Sequence, residues 1–170
     1  MKLVRPLVKY KESYLEALEE IKDETGDTVL SRPKANQSFQ EFVKNKREEA
    51  KGLNLPENWV PATELWLTDC KEFIGRVSIR HSLTEHLFKI GGHIGYYIRP
   101  SKRKMGYGKK ILELALLEAK KLGLSKILVT CDDNNLASCK IIESNGGILE
   151  NIIDAEKGKP QKRRYWITLS

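Results

Sequence analysis

The spacing of apolar residues in the first third of the chain predicts a short strand followed by two amphipathic helices. The apolar pair Leu3–Val4 is predicted as the strand. From about Lys11 to Asp23, apolar residues recur every three or four positions, which is the spacing of one helical face. Ser38 begins the second helix, because Glu41 stands three residues later and the two have the pattern of a capping box. Gly52 ends this helix.

From about residue 63 the pattern changes to short apolar runs that are typical of strands, with two further amphipathic helices between them. The predicted strands are Thr63–Thr68, Phe73–Arg80, His93–Ile98, Lys126–Cys131, Ile148–Ile153 and Arg163–Leu169. The predicted helices run from about Lys109 to Leu122 and from Asn135 to Glu143. The stretch Ser82–Lys89 fits either a loop or a single helical turn. This order predicts a mixed α/β (α+β) single domain over residues 1–170.

Composition places the chain among ordinary globular proteins, since 40% of its 170 residues are hydrophobic and 31% are charged. At this length a single domain is expected. No apolar run approaches the roughly 18 residues of a membrane span. The N-terminus lacks the pattern of a signal peptide. We therefore predict a cytoplasmic protein without membrane contact.

The three cysteines, Cys70, Cys131 and Cys139, are odd in number, and none stands in a CxxC pair. Neither a disulfide framework nor a zinc site is indicated, and we expect no metal. Cys131 and Cys139 are predicted as small buried apolar residues. Free thiols of this kind are typical of a reducing compartment.

A net charge of +7 raises nucleic acid as a partner. The basic residues are concentrated near residues 102–110 and near residues 157–164. Aromatic residues are not interleaved with either cluster, as a platform for stacked bases would need. A small polyanionic ligand accounts for the first cluster equally well. Nucleic acid is therefore the weaker interpretation.

The segment Arg103–Lys109 carries the most specific chemical signal, because two glycines separate an apolar strand from the start of a helix. Such a turn presents unpaired backbone N–H groups near the positive end of the helix dipole, which suits a phosphate or pyrophosphate. Arg103, Lys104 and Lys109 add positive charge around it. A dinucleotide-binding Rossmann turn is disfavoured because Ile111 stands where a third glycine belongs, and the P-loop pattern is absent.

Two motifs at their expected separation resemble the GNAT superfamily of N-acetyltransferases. Arg103, Gly106 and Gly108 fill the cofactor motif of that superfamily. Asn135 and Ser138 fill the Asn-x-x-Ser motif that opens the next helix. Neighbouring segments look like a bacterial branch of predicted acetyltransferases.

The resemblance is strict over residues 93–147 and implies a GNAT fold. That fold has a mixed central sheet of about six to seven strands, flanked by about four helices. The resemblance also implies a division of the single domain. Acceptor-side helices would occupy about residues 1–62, the acetyl-CoA core about residues 63–147 and the C-terminal strands about residues 148–170.

Acetyl-CoA is the co-substrate that the resemblance implies. Its pyrophosphate would lie against backbone amides of the turn, and its amide-bearing arm would pair with the edge of the strand ending at Ile98, as an added strand does. Asn135 would hydrogen-bond the arm, although it also fits a helix N-cap. The implied cofactor-binding residues are Ile98, Arg103, Lys104, Met105, Gly106, Tyr107, Gly108, Lys109, Asn135 and Ser138.

The implied chemistry is direct attack of a neutral amine on the thioester, without an acyl-enzyme. Many relatives place a glutamate base just before the Ile-Gly-Tyr of the strand, where this chain has His93. An imidazole with a reference pKa near 6.5 accepts a proton at neutral pH, so His93 is the candidate catalytic base. A hydrogen-bonded structural role for His93 stays open.

Many relatives also carry a tyrosine seven residues after the motif asparagine, which protonates the departing thiolate. Here Ile142 occupies that position and has no proton to donate. The proton donor is therefore left to water or to another tyrosine.

Together these residues imply an N-acetyltransferase that acts on a primary amine of a small molecule or on an amino terminus. Acetylation of proteins, which would need an open groove, stays open as an alternative. A non-catalytic acyl-CoA-binding or sensing module is the other alternative, because Ile142 fills the tyrosine position. A homodimer is also kept open.

Overall fold

Seven strands form two sheets in a computed structural model that describes residues 1–21, 30–69 and 71–169. The strands are β1 (Lys2–Val4), β2 (Ala62–Thr68), β3 (Phe73–Arg80), β4 (Ile94–Ile98), β5 (Lys126–Asp132), β6 (Ile148–Ile153) and β7 (Lys162–Thr168). The first sheet has the order β1-β2-β3-β4 and the second the order β5-β7-β6. Adjacent strands within each sheet are antiparallel.

The α-helices of the described residues are α1 (Lys11–Glu19), α2 (Phe39–Glu49), α3 (Tyr107–Lys121) and α4 (Leu136–Glu143). The predicted mixed α/β fold and its approximate numbers of strands and helices are confirmed. The stretch Ser82–Lys89, which fitted either a loop or a helical turn, is helical from Glu85, with a π-helical turn at Leu87–Gly91. The predicted end of the first helix at Asp23 and the position of Cys70 lie outside the described residues.

Local chemistry accounts for the start of α2. The Ser38 hydroxyl accepts a hydrogen bond from the Glu41 backbone N–H at 3.2 Å, and the Glu41 carboxylate accepts one from the Ser38 N–H at 2.8 Å. The reciprocal bonds satisfy two N–H groups that a helix start leaves without intrahelical partners. The predicted capping box is confirmed, and it fixes the residue at which α2 begins.

The first sheet buries an apolar layer on each face, as strand alternation requires. On one face, Leu65 and Val77 pack with α3 in a core that extends to the second sheet. On the other face, Trp66 is fully buried and stacks on Tyr14 of α1, with ring centroids 4.7 Å apart. Aromatic residues of α2 complete this second core. The helices before residue 50 therefore cover the face of the sheet opposite α3.

The two sheets meet just before β4. The His93 backbone N–H donates to the Leu128 carbonyl of β5 at 2.7 Å, and Thr130 Oγ1 donates to the Ile90 carbonyl at 2.8 Å. Gly92 has φ +67°, and a Cβ there would lie 2.7 Å from the Leu128 carbonyl oxygen, so only glycine fits this approach. Beyond this contact, β4 pairs with β3 alone among the described strands. Its second edge borders what we call the inter-sheet gap, between Ile94–Ile98 and β5.

Candidate active site

The turn after β4 is open on the side where an anion would lie. Gly106 has φ +81°, and a Cβ built on it would meet no atom within 4 Å. The residue precedes α3, and no side chain caps the helix. The N–H groups of Tyr107, Gly108 and Lys109 have no intrahelical acceptor because they belong to the first helical turn. These donors and the helix dipole favour a negatively charged group in the open space.

Arg103 folds back onto β4. Its guanidinium donates to the Tyr97 hydroxyl at 2.6 Å and to the Ile98 carbonyl at 3.1 Å, and it lies 5.1 Å from the centre of the Tyr97 ring. These contacts brace the turn against the end of the strand. Lys104 and Lys109 are exposed beside the open space. The positive electrostatic potential of the turn therefore comes from both the backbone N–H groups and these two lysine side chains.

Gly108 brings α3 close to α4. A Cβ at this position would lie 2.5 Å from Ile141 Cδ1 of α4. The close approach sets the last turn of α4 beside the start of α3. Tyr107 is half-buried and packs on the core, whereas the Met105 side chain is 58% exposed at the tip of the turn.

Asn135 and Ser138 lie at the start of α4. The Asn135 Oδ1 accepts the Ser138 backbone N–H at 3.0 Å, so Asn135 is the N-cap of this helix. The Ser138 hydroxyl is hydrogen bonded to the Tyr96 hydroxyl of β4 at 2.7 Å. Burial raises the pKa of Tyr96, which keeps its phenol protonated. Ile142 is fully buried in the core, so a packing residue fills the position where many relatives have a tyrosine.

His93 lies at the junction of the sheets and is 8% exposed. Its Nδ1 accepts the Leu128 backbone N–H at 2.9 Å. Burial lowers the pKa of His93, the hydrogen bond from Leu128 opposes this effect, and the Arg80 charge adds to it. The neutral ring with Nδ1 as acceptor carries its proton on Nε2. A role as base would require the ring to give up the bond to Leu128, and the catalytic assignment stays a prediction.

Arg99 anchors the segment that leads from β4 into the turn. It is 4% exposed and forms ion-paired hydrogen bonds with Glu20, beyond the end of α1. Arg99 also donates to the Phe73 carbonyl and to Ser13 Oγ of α1. Glu20 accepts the Ser101 N–H at 3.0 Å. Burial alone would raise the pKa of Glu20, but the hydrogen bonds from Arg99 and Ser101 lower it.

Sequence reasoning missed this anchor, although Arg99 belongs to a segment that resembles other acetyltransferases. Glu20 stands 79 residues before Arg99. No local pattern joins two residues at such a separation.

A cavity of about 940 Å³ opens on the face of the first sheet opposite α3. Glu64 on its floor is 5% exposed, and its carboxylate accepts the Trp66 indole N–H at 3.0 Å. Lys46 Nζ lies 3.6 Å from Glu64 Oε2, and an Arg76 guanidinium nitrogen lies 3.9 Å from it. Trp59 stands at the mouth and is 65% exposed. The charged residues of its lining are Lys46, Glu49, Glu57, Glu64, Arg76, Arg80, Glu85 and Lys89.

Cys131 and Cys139 are buried, as predicted, with their sulfurs 3.6 Å apart. Burial raises the pKa of Cys131 to about 12, so it is a thiol near neutral pH.

In the part of the chain that the structure describes, no cluster of three or more His, Cys, Asp or Glu side chains is arranged to hold a metal ion. No helix of the described ranges is long and apolar enough to cross a membrane.

After β4 the structure has an uncapped helix start, next to a strand edge that no other described strand pairs with. This arrangement is typical of acyltransferases that use a CoA thioester. Residues 5–148 match the family model described as an acetyltransferase (GNAT) domain. The match spans most of the chain, and the protein belongs to this family. It is an acyltransferase with acetyl-CoA as its co-substrate, and the corresponding predictions are confirmed.

Several solved structures share the fold. An acetyltransferase that modifies the N-terminal serine of ribosomal protein L7/L12 from Salmonella typhimurium superposes with a TM-score of 0.66 at 15% identity, over 99% of this chain and 94% of that one. The microcin C7 self-immunity acetyltransferase, in complex with acetyl-CoA and AMP, gives 0.65 at 18% identity, over 98% and 91%.

A spermidine N-acetyltransferase variant from Vibrio cholerae superposes with a TM-score of 0.64 at 17% identity, over all of this chain and 96% of that one. At such identities the comparisons establish the fold. No protein with a curated function matches the chain.

Proposed function

We propose that the protein transfers the acetyl group of acetyl-CoA to a primary amine of a small molecule or to an amino terminus. The observation that carries the proposal is the course of β4. Its end leads into the open turn at Gly106, and Gly95 near its start lines the 940 Å³ cavity. An extended arm laid along the free edge of β4 would thus lead from the anion site toward the cavity.

The cofactor half of the site is proposed to consist of residues from the end of β4, the turn and the start of α4. The turn amides would hold the pyrophosphate, and the Asn135 side chain would reach the arm while it caps α4. The proposed residues are Ile98, Arg103, Lys104, Met105, Gly106, Tyr107, Gly108, Lys109, Asn135 and Ser138.

The acceptor half is proposed to be the cavity above Glu64. A volume of about 940 Å³ lies at the upper end of the range for small-molecule sites, which favours a compact acceptor over an extended protein segment. The lining carries carboxylates and cations in equal number. Such a wall suits an acceptor whose amine and a second polar group both need partners. The acceptor-side helices before residue 62 would cover this cavity.

When bound, the thioester supplies an activated acetyl group. The amine nitrogen bonds to the acetyl carbon, the carbon–sulfur bond breaks, the nitrogen releases its proton to water and the departing thiolate gains one. The Tyr96–Ser138 hydroxyl pair is the proposed source of the proton for the thiolate. It borders the inter-sheet gap, and burial keeps Tyr96 protonated.

Replacing Tyr96 with phenylalanine is expected to lower kcat by about 100-fold, the lower range for the loss of a general acid. The ring and its packing are retained, so binding of acetyl-CoA should change little. Tyr165→Phe is the matched control, because that buried tyrosine donates its hydroxyl to Glu143, at the far end of α4. Thiol release under steady-state conditions measures both variants. Equal rates in the two would exclude the hydroxyl of Tyr96 as proton donor.

Calorimetry with acetyl-CoA, followed by a panel of amines read out by thiol release, tests the function as a whole. We expect binding at micromolar acetyl-CoA and turnover with a small amine or a short peptide amino terminus. Binding without turnover on any amine, peptide or protein would favour the non-catalytic binding module. Turnover with intact proteins alone would favour the protein acetyltransferase. Absence of binding would contradict all three.

A further inference from the structure

His93 makes two different contacts with one residue of β5. Its backbone N–H donates to the Leu128 carbonyl at 2.7 Å, and its Nδ1 accepts the Leu128 N–H at 2.9 Å. In a regular strand pair, a backbone carbonyl would accept the second bond. Here the imidazole takes the place of that carbonyl.

This substitution allows the main chain to turn away from β5. Leu128 is fully buried, so its N–H needs an acceptor inside the protein. The His93 side chain supplies this acceptor, and the His93 carbonyl accepts the Arg80 N–H of β3 at 2.8 Å instead. The gap between the sheets then begins at the residue after His93. The close approach of Gly92 and the bond from Thr130 hold the preceding turn against β5. They fix the position along β5 at which the two sheets separate.

The same bond leaves the imidazole poorly suited to accept a proton. In this tautomer Nε2 carries the ring proton. The lone pair on Nδ1, which would have to accept a second proton, already accepts the Leu128 N–H. The ring is also buried, which disfavours the charged form. A base would need the opposite arrangement, with the lone pair directed into the cavity.

We propose that His93 is a positioning residue, whose imidazole ends the contact between the two sheets and thereby holds open the gap that admits the thioester arm of acetyl-CoA. This inference rests on the proposed function for its ligand. In this proposal His93 does not act as a base. Its role is to accept the Leu128 N–H, and any side chain with an acceptor at the same distance from the backbone can fill that role.

Two variants separate the roles. Asparagine places Oδ1 where histidine places Nδ1 and cannot act as a base, and leucine has a similar size but no acceptor. Hydrogen exchange at the Leu128 amide reports the bond, calorimetry reports acetyl-CoA affinity, and thiol release reports kcat. Thr130→Val is the control, because it removes a neighbouring bond at the same junction and leaves the imidazole in place.

For His93→Asn we expect exchange at Leu128, acetyl-CoA affinity and kcat within about threefold of the wild type, since the positioning contact is kept. For His93→Leu we expect exchange at Leu128 to accelerate by at least about tenfold. We expect acetyl-CoA to bind that variant about tenfold more weakly. Thr130→Val should leave the Leu128 amide protected.

The inference is overturned if His93→Asn binds acetyl-CoA normally but loses kcat by about 100-fold or more, which is the mark of a lost base. It is also overturned if His93→Leu keeps both the protection of Leu128 and the affinity. Should the leucine variant not fold, the kcat of the asparagine variant still decides between the two roles. Failure of the wild-type protein to bind acetyl-CoA would instead contradict the proposed function, and would be seen before any variant is made.

Discussion

Replacing Gly106 with valine is expected to weaken the binding of acetyl-CoA by at least about 30-fold, or ~2 kcal/mol. The residue has φ +81°, and its missing side chain would point into open space. We expect a branched side chain there to occupy the space that the proposed function assigns to the pyrophosphate. The donors would remain, but a pyrophosphate group would no longer reach them.

Gly123→Val provides a matched control at the opposite end of α3. Gly123 has φ +83°, and a Cβ there would also meet no atom within 4 Å. Both variants carry the strain of a left-handed valine, about 1–2 kcal/mol, and both should unfold more easily to a similar extent. Calorimetry with acetyl-CoA at a temperature where both are folded measures the difference. Equal affinities would mean that the pyrophosphate lies elsewhere.

Replacing Arg99 with alanine is expected to lower the free energy of unfolding by about 3 kcal/mol, the range for removing one partner of a buried ion pair. Arg99 donates to Glu20, Ser13 and the Phe73 carbonyl, and its loss removes one hydrogen-bond donor from each of these acceptors. Ser101 and Arg99 both donate to Glu20. Without Arg99, the segment that leads from β4 into the turn would therefore be held less firmly. We therefore expect weaker acetyl-CoA binding in the protein that remains folded.

Urea unfolding measures the first effect and calorimetry the second. Arg164→Ala is the control, because Arg164 is 6% exposed and ion-paired to Glu150 in the second sheet. It should destabilise the protein and leave the affinity for acetyl-CoA near that of the wild type. A similar loss of affinity in both variants would show that the effect follows from stability and not from the position of Arg99.

Much of the fold was readable from the chain because its signals are local. The capping box at Ser38 joins residues three positions apart, and β2 and β3 follow from short runs rich in apolar residues. The turn at Gly106 was recognisable because glycine marks both its left-handed backbone and its open side. Each of these features is determined by neighbours in the sequence.

The features that the sequence did not reveal depend on distant contacts. The break between the sheets depends on which atom accepts the Leu128 N–H. The sequence shows a histidine at position 93 but does not show which of its ring nitrogens faces β5. The paired charges of Glu64 and Lys46 come from a strand and a helix that meet only after folding. The proposed acceptor cavity therefore had no readable pattern, whereas the proposed cofactor turn had one.

The contacts of Arg99 also bear on how relatives with this fold can be recombined. The guanidinium follows β4, but its hydroxyl and carboxylate partners, Ser13 and Glu20, lie in α1 and just after it. A chimera that joins the first sixty or so residues of one relative to the remainder of another would cut across this buried pair. We therefore expect a working graft to require that both ends of the Glu20–Arg99 pair are transferred together.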